Sequence, residues 1–140
     1  ELFSAARGAG ATLNGAPLRC SDASVLALAL IATGFNYSPT TRERQAQRVA
    51  GLLPLVRDVR RFGSAALDLC FVAAGRFDAY FEEHLNSWDL AAGVLIASEA
   101  GAVTSNLSGG AADTGAVVAA APQVHRALVD VISEIDTAKR

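Results

Sequence analysis

Trp88-Asp89-Leu90-Ala91-Ala92-Gly93-Val94-Leu95-Ile96-Ala97-Ser98-Glu99-Ala100-Gly101 decides how this chain reads, because its polar residues fall only at the two ends. Asn86-Ser87 ahead of it offers a helix cap, and a helix apolar on every face is expected to be buried all round. Asp89 would then enter the protein at a buried helix N-terminus, where an unpaired carboxylate is costly. Two compensations are open. The helix dipole and the free N–H groups of the first turn could suffice, or a metal ion could sit there. A hard cation such as Mg²⁺ takes an octahedron of oxygens and usually keeps waters, so one carboxylate from this helix would need others from elsewhere. The chain shows no obvious second acidic cluster.

Upstream, Ser64 is the expected N-cap of a helix over Ala65 to Ala74, with Leu67, Cys70, Phe71 and Ala74 on one stripe and Gly75 at its end. Phe77 to Phe81 reads as a strand, and Asp58 to Phe62 as a short extended segment. Arg42 to Val56 reads as a surface helix interrupted near Pro54. Val25 to Thr33 is apolar almost throughout and predicts a strand buried on both faces, although a helix at its beginning fits as well. At the start, two short apolar runs flank Asn14-Gly15, a strong signal for a type I′ hairpin. Downstream, Val103 to Ser105 and Ala116 to Ala120 predict strands around a Gly109-Gly110 loop, and Pro122 opens a closing helix to about Ile135. Strands alternating with helices predict an α/β layered sandwich, with a mixed sheet carrying helices on its faces and an antiparallel hairpin at the entrance.

With 140 residues, 51% of them hydrophobic, the chain suits one domain with a real core. Lys plus Arg number 12 against 14 Asp plus Glu, which gives no electrostatic reason for nucleic-acid or membrane binding. Arg42, Arg44, Arg48 and Arg57, with Arg60 and Arg61, are the only basic concentration and read first as a solvated helix face. Cys20 and Cys70 lack metal-ligand spacing and read first as buried reduced thiols in a cytoplasmic setting, a disulfide between them being the unsupported alternative. The chain opens at Glu1 without any Met, and the expectation is that its natural start lies upstream.

The Trp88-Asp89-x-Ala91-Ala92-Gly93 run, followed by Glu99-Ala100-Gly101, resembles the C-terminal signature of the inositol monophosphatase family. Arg60-Arg61-Phe62-Gly63-Ser64-Ala65-Ala66-Leu67-Asp68-Leu69 and Val72-Ala73-Ala74-Gly75-Arg76-x-Asp78-x-Tyr80-Phe81-Glu82 are similar to the block upstream of it. Leu2-Phe3-x-Ala5, Arg7-Gly8-x-Gly10-Ala11 and Asn14-Gly15 extend the likeness over nearly the whole chain. The resemblance implies half of an αβαβα sugar-phosphatase fold, with residues 1–140 as the C-terminal portion. It implies Mg²⁺ as cofactor, a phosphate monoester such as myo-inositol monophosphate as substrate, Li⁺ sensitivity and a homodimer. Asp89 becomes a metal ligand close to the reacting atoms. Gly63, Ser64, Ala65 and Glu82 line the cyclitol ring, and Arg60 is the substrate-side cation.

Bland alternatives stand beside each role: Ser64 as a cap only, Glu82 solvated at a strand end, Arg60 in a surface or subunit pair. Glu99, in the last turn of its helix, is expected to pair with a cation or face solvent. No Asp-Pro-x-Asp-Gly segment is present, so most of the family's metal ligands are expected outside these residues, and the chain alone is expected to be inactive. Family branches acting on fructose bisphosphate, phosphoadenosine phosphate or histidinol phosphate share the Trp-Asp helix. A non-catalytic interaction module is the alternative from a different class.

Overall fold

The computed structural model describes residues 1–113 and 115–138. Three short strands, β1 (Phe3–Ala6), β2 (Gly10–Leu13) and β3 (Ala16–Pro17), form an antiparallel meander. Asn14 and Gly15 turn β2 into β3 with φ of 52° and 83°, the pair of positive angles that a type I′ turn demands.

A second sheet holds β4 (Leu30–Thr33), β5 (Asp58–Arg60), β6 (Ala79–Glu83), β7 (Val103–Ser105) and β8 (Ala116–Ala120) in the order β5-β4-β6-β8-β7. β4 runs parallel to both β5 and β6, whereas β8 is antiparallel to β6 and β7. The helices are α1 (Pro39–Leu52), α2 (Ala65–Ala73), α3 (Ser87–Glu99) and α4 (Pro122–Ala138). α1 and α4 bury Leu52, Val124, Leu128 and Ile132 against one face of this sheet. α2 and α3 bury Leu69, Val72, Leu90 and Ile96 on the other, and α3 also carries β1 and β2 on its far side. Four layers result: small sheet, helices, large sheet, helices.

Because α1 leads from β4 to β5 on one face and α2 leads from β5 across to β6 on the other, β4 stands at the point where the strand order reverses. The C-terminal ends of β4, β5 and β6 open into one crevice there, as parallel sheets of this kind generally do. Along β6 the pleat sends Tyr80 and Glu82 toward α2 and α3, and Ala79, Phe81 and Glu83 toward α1 and α4.

Several expectations need correction. Only Leu30–Thr33 of the early apolar run enters the sheet, because Leu26–Leu28 forms a 3₁₀ turn and Leu28 is 67% exposed. Asp78 sets that boundary: its carboxylate accepts from the Leu30 N–H at 2.7 Å and from the Ser21 hydroxyl at 2.7 Å. Spent in this way, Asp78 precedes the strand instead of joining it, and the pairing runs from Ala79 to Glu83. α1 starts earlier than expected, at Pro39, and ends at Leu52 before a 3₁₀ turn containing Pro54. Its basic face is not all solvated, since buried Arg48 makes a two-pronged ion pair with Asp136 of α4 at 2.9 and 2.7 Å and also approaches Glu83.

α3 is not buried on every side. Leu90, Gly93, Ile96 and Ala97 face inward, while Trp88 is 76% exposed and Ala91 and Ala92 lie open beside it. Glu99 takes backbone donors instead of a cation: its two oxygens accept from the N–H groups of Gly8 at 2.8 Å and Gly10 at 2.9 Å, tying the β1–β2 turn to the end of α3.

The closest approach of α2 and α3 depends on Gly93, where an added methyl carbon would stand 2.7 Å from Cδ1 and 2.8 Å from Cβ of Leu69. Alanine would raise helix propensity by about 1 kcal/mol, yet overpacking at a fixed Cβ costs about 1–3 kcal/mol. Gly93→Ala should therefore lower the urea midpoint of unfolding, and an unchanged or raised midpoint would show that the two helices can separate without cost.

Candidate active site

A cavity of about 440 Å³ fills the crevice. Its floor is the end of β4 at Gly34 and the end of β6 at Glu82, and its walls are the first turns of α2 and α3. Two helix N-termini thus open on one space, each presenting partly positive N–H groups that favour oxygen-rich or anionic occupants.

Five of the six residues singled out from the sequence meet here: Gly63, Ser64, Ala65, Glu82 and Asp89 all line the cavity. Ser64 caps α2, its hydroxyl oxygen accepting from the Leu67 N–H at 3.4 Å. Asp89 occupies the first turn of α3, where its Oδ2 accepts from the Asn86 N–H at 2.9 Å. Capping therefore uses one carboxylate oxygen and leaves the other without a hydrogen bond among the described residues. Arg60 stands apart, outside the cavity lining, ion-paired with Asp58 and donating to its neighbour's carbonyl at Val59. The arginine at the cavity is Arg61, whose guanidinium lies 2.5 Å from where a Cβ on Gly63 would stand. Gly63, with φ of 92°, thus meets both a backbone and a space requirement that other residues meet poorly.

Glu82 is the most elaborately held group. The Tyr80 hydroxyl donates to its Oε2 at 2.6 Å, and Gly34 leaves room for it, since a Cβ there would fall 1.9 Å from that same oxygen. Burial holds the Glu82 carboxyl above its ordinary value, the Asp89 charge adding to this and the bond from Tyr80 and the charge of Arg61 opposing it. Burial also raises the Tyr80 phenol strongly, with the charge of Glu82 adding to it.

Sequence reasoning passed over Gly34, Arg61, Tyr80 and, above all, Asp68. Asp68 has no exposed surface, and neither carboxylate oxygen has a hydrogen-bond partner. Burial, helped by the nearby Glu82 charge and opposed by Arg61, pushes its carboxyl up to about 7. The signal was available in its spacing, because Asp68 stands three residues after Ala65 and four before Val72, both buried on the same stripe of α2.

With this arrangement in place, comparison with known proteins gives one consistent answer. The model of the inositol monophosphatase family matches residues 1–137. The chain belongs to the inositol monophosphatase family. It is 49% identical over 142 residues to the inositol-1-monophosphatase SuhB of Mycobacterium tuberculosis, covering 96% of this chain and 48% of that protein. It is 42% identical over 137 residues to a Vibrio cholerae protein called Nus factor SuhB, covering 96% of this chain and 51% of that one. Among solved structures, the extragenic suppressor protein SuhB of Bartonella henselae superimposes with a TM-score of 0.90 at 35% identity, over 96% of this chain and 52% of that chain. The chain thus spans about half the length of the relatives it matches.

As an inositol monophosphatase family member, the chain has a phosphatase's family ties and an α/β layered fold with a mixed sheet. Among the described residues no three His, Cys, Asp or Glu side chains gather into a metal-holding group. The uncommitted oxygen of Asp89 fits one position of an oxygen-ligated cation. No helix of the described residues is long and apolar enough to cross a membrane.

Asp68 gives the first test of the site's electrostatics. Its protonated form suits the fold, so its contribution to stability is complete below pH 3.8 and is lost as pH rises through about 7. Asp68→Asn stays neutral throughout. The variant should match the parent near pH 4 and exceed it by about 2–4 kcal/mol near pH 8 in urea unfolding. An equal difference at both pH values would show that Asp68 does not keep its proton in the fold.

Proposed function

We propose that the complete protein is an Mg²⁺-dependent phosphomonoesterase acting on myo-inositol monophosphate or a similar cyclitol or sugar phosphate. The observation that carries this reading is the convergence of Asp89, Glu82 and the opening of α2 at Gly63, Ser64 and Ala65 on a single polar cavity. Family membership supports the class of reaction, and the relatives named inositol-1-monophosphatase support the substrate class. A cytoplasmic homodimer inhibited by Li⁺ completes the proposal, on the family likeness alone.

Each side chain has work that its geometry permits. Asp89 offers its free oxygen as a metal ligand, and the Asn86 N–H holds the carboxylate in the required orientation. When bound, Mg²⁺ supplies Lewis-acid polarisation and charge neutralisation at the phosphate. Glu82, accepting from Tyr80 on one oxygen, has lone pairs left to accept from the hydroxyls of a polyol ring. Ser64 and the first N–H groups of α2 can bond to ring oxygens, and Arg61, in place of Arg60, supplies the positive charge at the cavity.

The measurement is Mg²⁺-dependent phosphate release from myo-inositol 1-phosphate by the full-length protein. Asp89→Asn should lower kcat by about 100-fold or more, with the circular dichroism spectrum unchanged. Unaltered turnover would reduce Asp89 to its capping role. Separately, Glu82→Gln should raise KM by about tenfold with a smaller effect on kcat, because a charged acceptor for ring hydroxyls is replaced by a weaker one.

A second reading, a non-catalytic interaction module, is suggested by the relatives called Nus factor SuhB. Arg42, exposed on α1 with its guanidinium donating to the backbone carbonyls of Asn36 and Tyr37, is the residue at which to test it. Loss of a protein partner in Arg42→Glu with phosphatase activity intact would favour this reading.

A further inference from the structure

Asp68 is the only buried polar side chain among the described residues whose atoms go without a hydrogen bond. Nothing in the catalytic reading uses it, yet it lies directly behind the cavity wall, on the face of α2 that packs against β6 and α3. A fully buried carboxylate without donors is among the costliest arrangements a protein can keep unless it carries a proton.

The groups around it decide where that proton goes. β6 presents Glu82 and Tyr80, and the segment before α2 presents Arg61. α3 carries Asp89, whose charge acts on Glu82 and Tyr80, while Glu99 at the far end of that helix is engaged with Gly8 and Gly10. Glu83 points to the opposite face of the sheet, toward Arg44 and Arg48. β4 and β8 bring no ionisable side chain. Of the three carboxylates gathered here, Glu82 has the Tyr80 hydroxyl as donor and Asp89 the Asn86 N–H, so Asp68, which has neither, is the one left to hold a proton.

We propose that Asp68 is a positioning residue for Glu82, holding one proton for the pair so that the single negative charge rests on Glu82, the carboxylate facing the cavity. Carboxylates whose charges act on one another in a poorly solvated site do not both ionise cheaply, so their titrations are coupled. While Asp68 stays neutral, Glu82 remains an anionic acceptor in a fixed position. Once Asp68 also ionises, the two repel and a second negative charge stands behind a site that must accept a phosphate ester. The proton-holding device thus sets an upper pH limit on substrate affinity. This inference rests on the reading of Glu82 as the acceptor for substrate hydroxyls.

The experiment follows KM for myo-inositol 1-phosphate across the pH range in full-length wild type, Asp68→Asn and Glu82→Gln, with saturating Mg²⁺. Wild-type KM should rise about fivefold between about pH 6.5 and 8.5, whereas Asp68→Asn should hold the low-pH value throughout, with the kcat profiles of the two parallel. A rise in Asp68→Asn that parallels wild type overturns the inference, since a merely structural role changes the melting temperature without altering that slope. Glu82→Gln without effect on KM at any pH overturns the substrate reading and the inference together. If Asp68→Asn fails to fold, ¹³C NMR titration of the Asp68 carboxyl in wild type decides the matter: a midpoint near neutrality supports the proposal and one in the ordinary carboxylate range overturns it.

Discussion

Crowding three carboxylates, Asp68, Glu82 and Asp89, at one end of a buried sheet is the constraint around which this domain is organised. Mutual repulsion and loss of hydration both oppose the arrangement. The opposing forces are visible in the fold. α2 and α3 direct their positive N-terminal ends at the crevice, the Asn86 N–H binds Asp89, the Tyr80 hydroxyl binds Glu82, and Arg61 adds a full positive charge. Only Asp68 receives no hydrogen bond, and burial together with the nearby Glu82 charge raises its proton affinity.

The backbone topology makes this convergence possible. With β4 flanked by two parallel neighbours and its helices sent to opposite faces, the ends of three strands and the starts of two helices share one crevice. Small residues let the parts approach: Gly93 admits Leu69 between the helices, and Gly34 admits the carboxylate of Glu82. On the far face, the Arg48 pairing with Asp136 and Glu83 ties α1 and α4 to the strand that carries Glu82. Strand pleating makes adjacent glutamates serve different purposes: Glu82 faces the cavity while Glu83 anchors the opposite layer.

Most of this was legible in the sequence. The Asn14-Gly15 turn, the caps at Ser64 and Asn86 and the closing helix from Pro122 are local signals, and local chemistry decides them. What the sequence hid depends on contacts between distant segments. Whether Val25 or Leu30 begins β4 is decided by Asp78, some fifty positions later in the chain. The solvated appearance of Arg48 is overturned by Asp136 at the other end of the domain. Adjacent Arg60 and Arg61 look equivalent in one dimension, yet extended backbone sends one toward Asp58 and the other to the cavity. Asp68 was concealed in plain view inside a family-like motif, because its importance lies in partners it lacks.

The central claim is that Asp89 serves a metal from the mouth of this cavity, beyond capping its own helix. The most direct measurement is an anomalous diffraction map of the full-length protein crystallised with Mn²⁺ in place of Mg²⁺. The account predicts a peak in the cavity within bonding distance of the Asp89 carboxylate oxygen that Asn86 leaves free. Mn²⁺ bound in the cavity but away from Asp89, or no peak there at a saturating concentration, would contradict it.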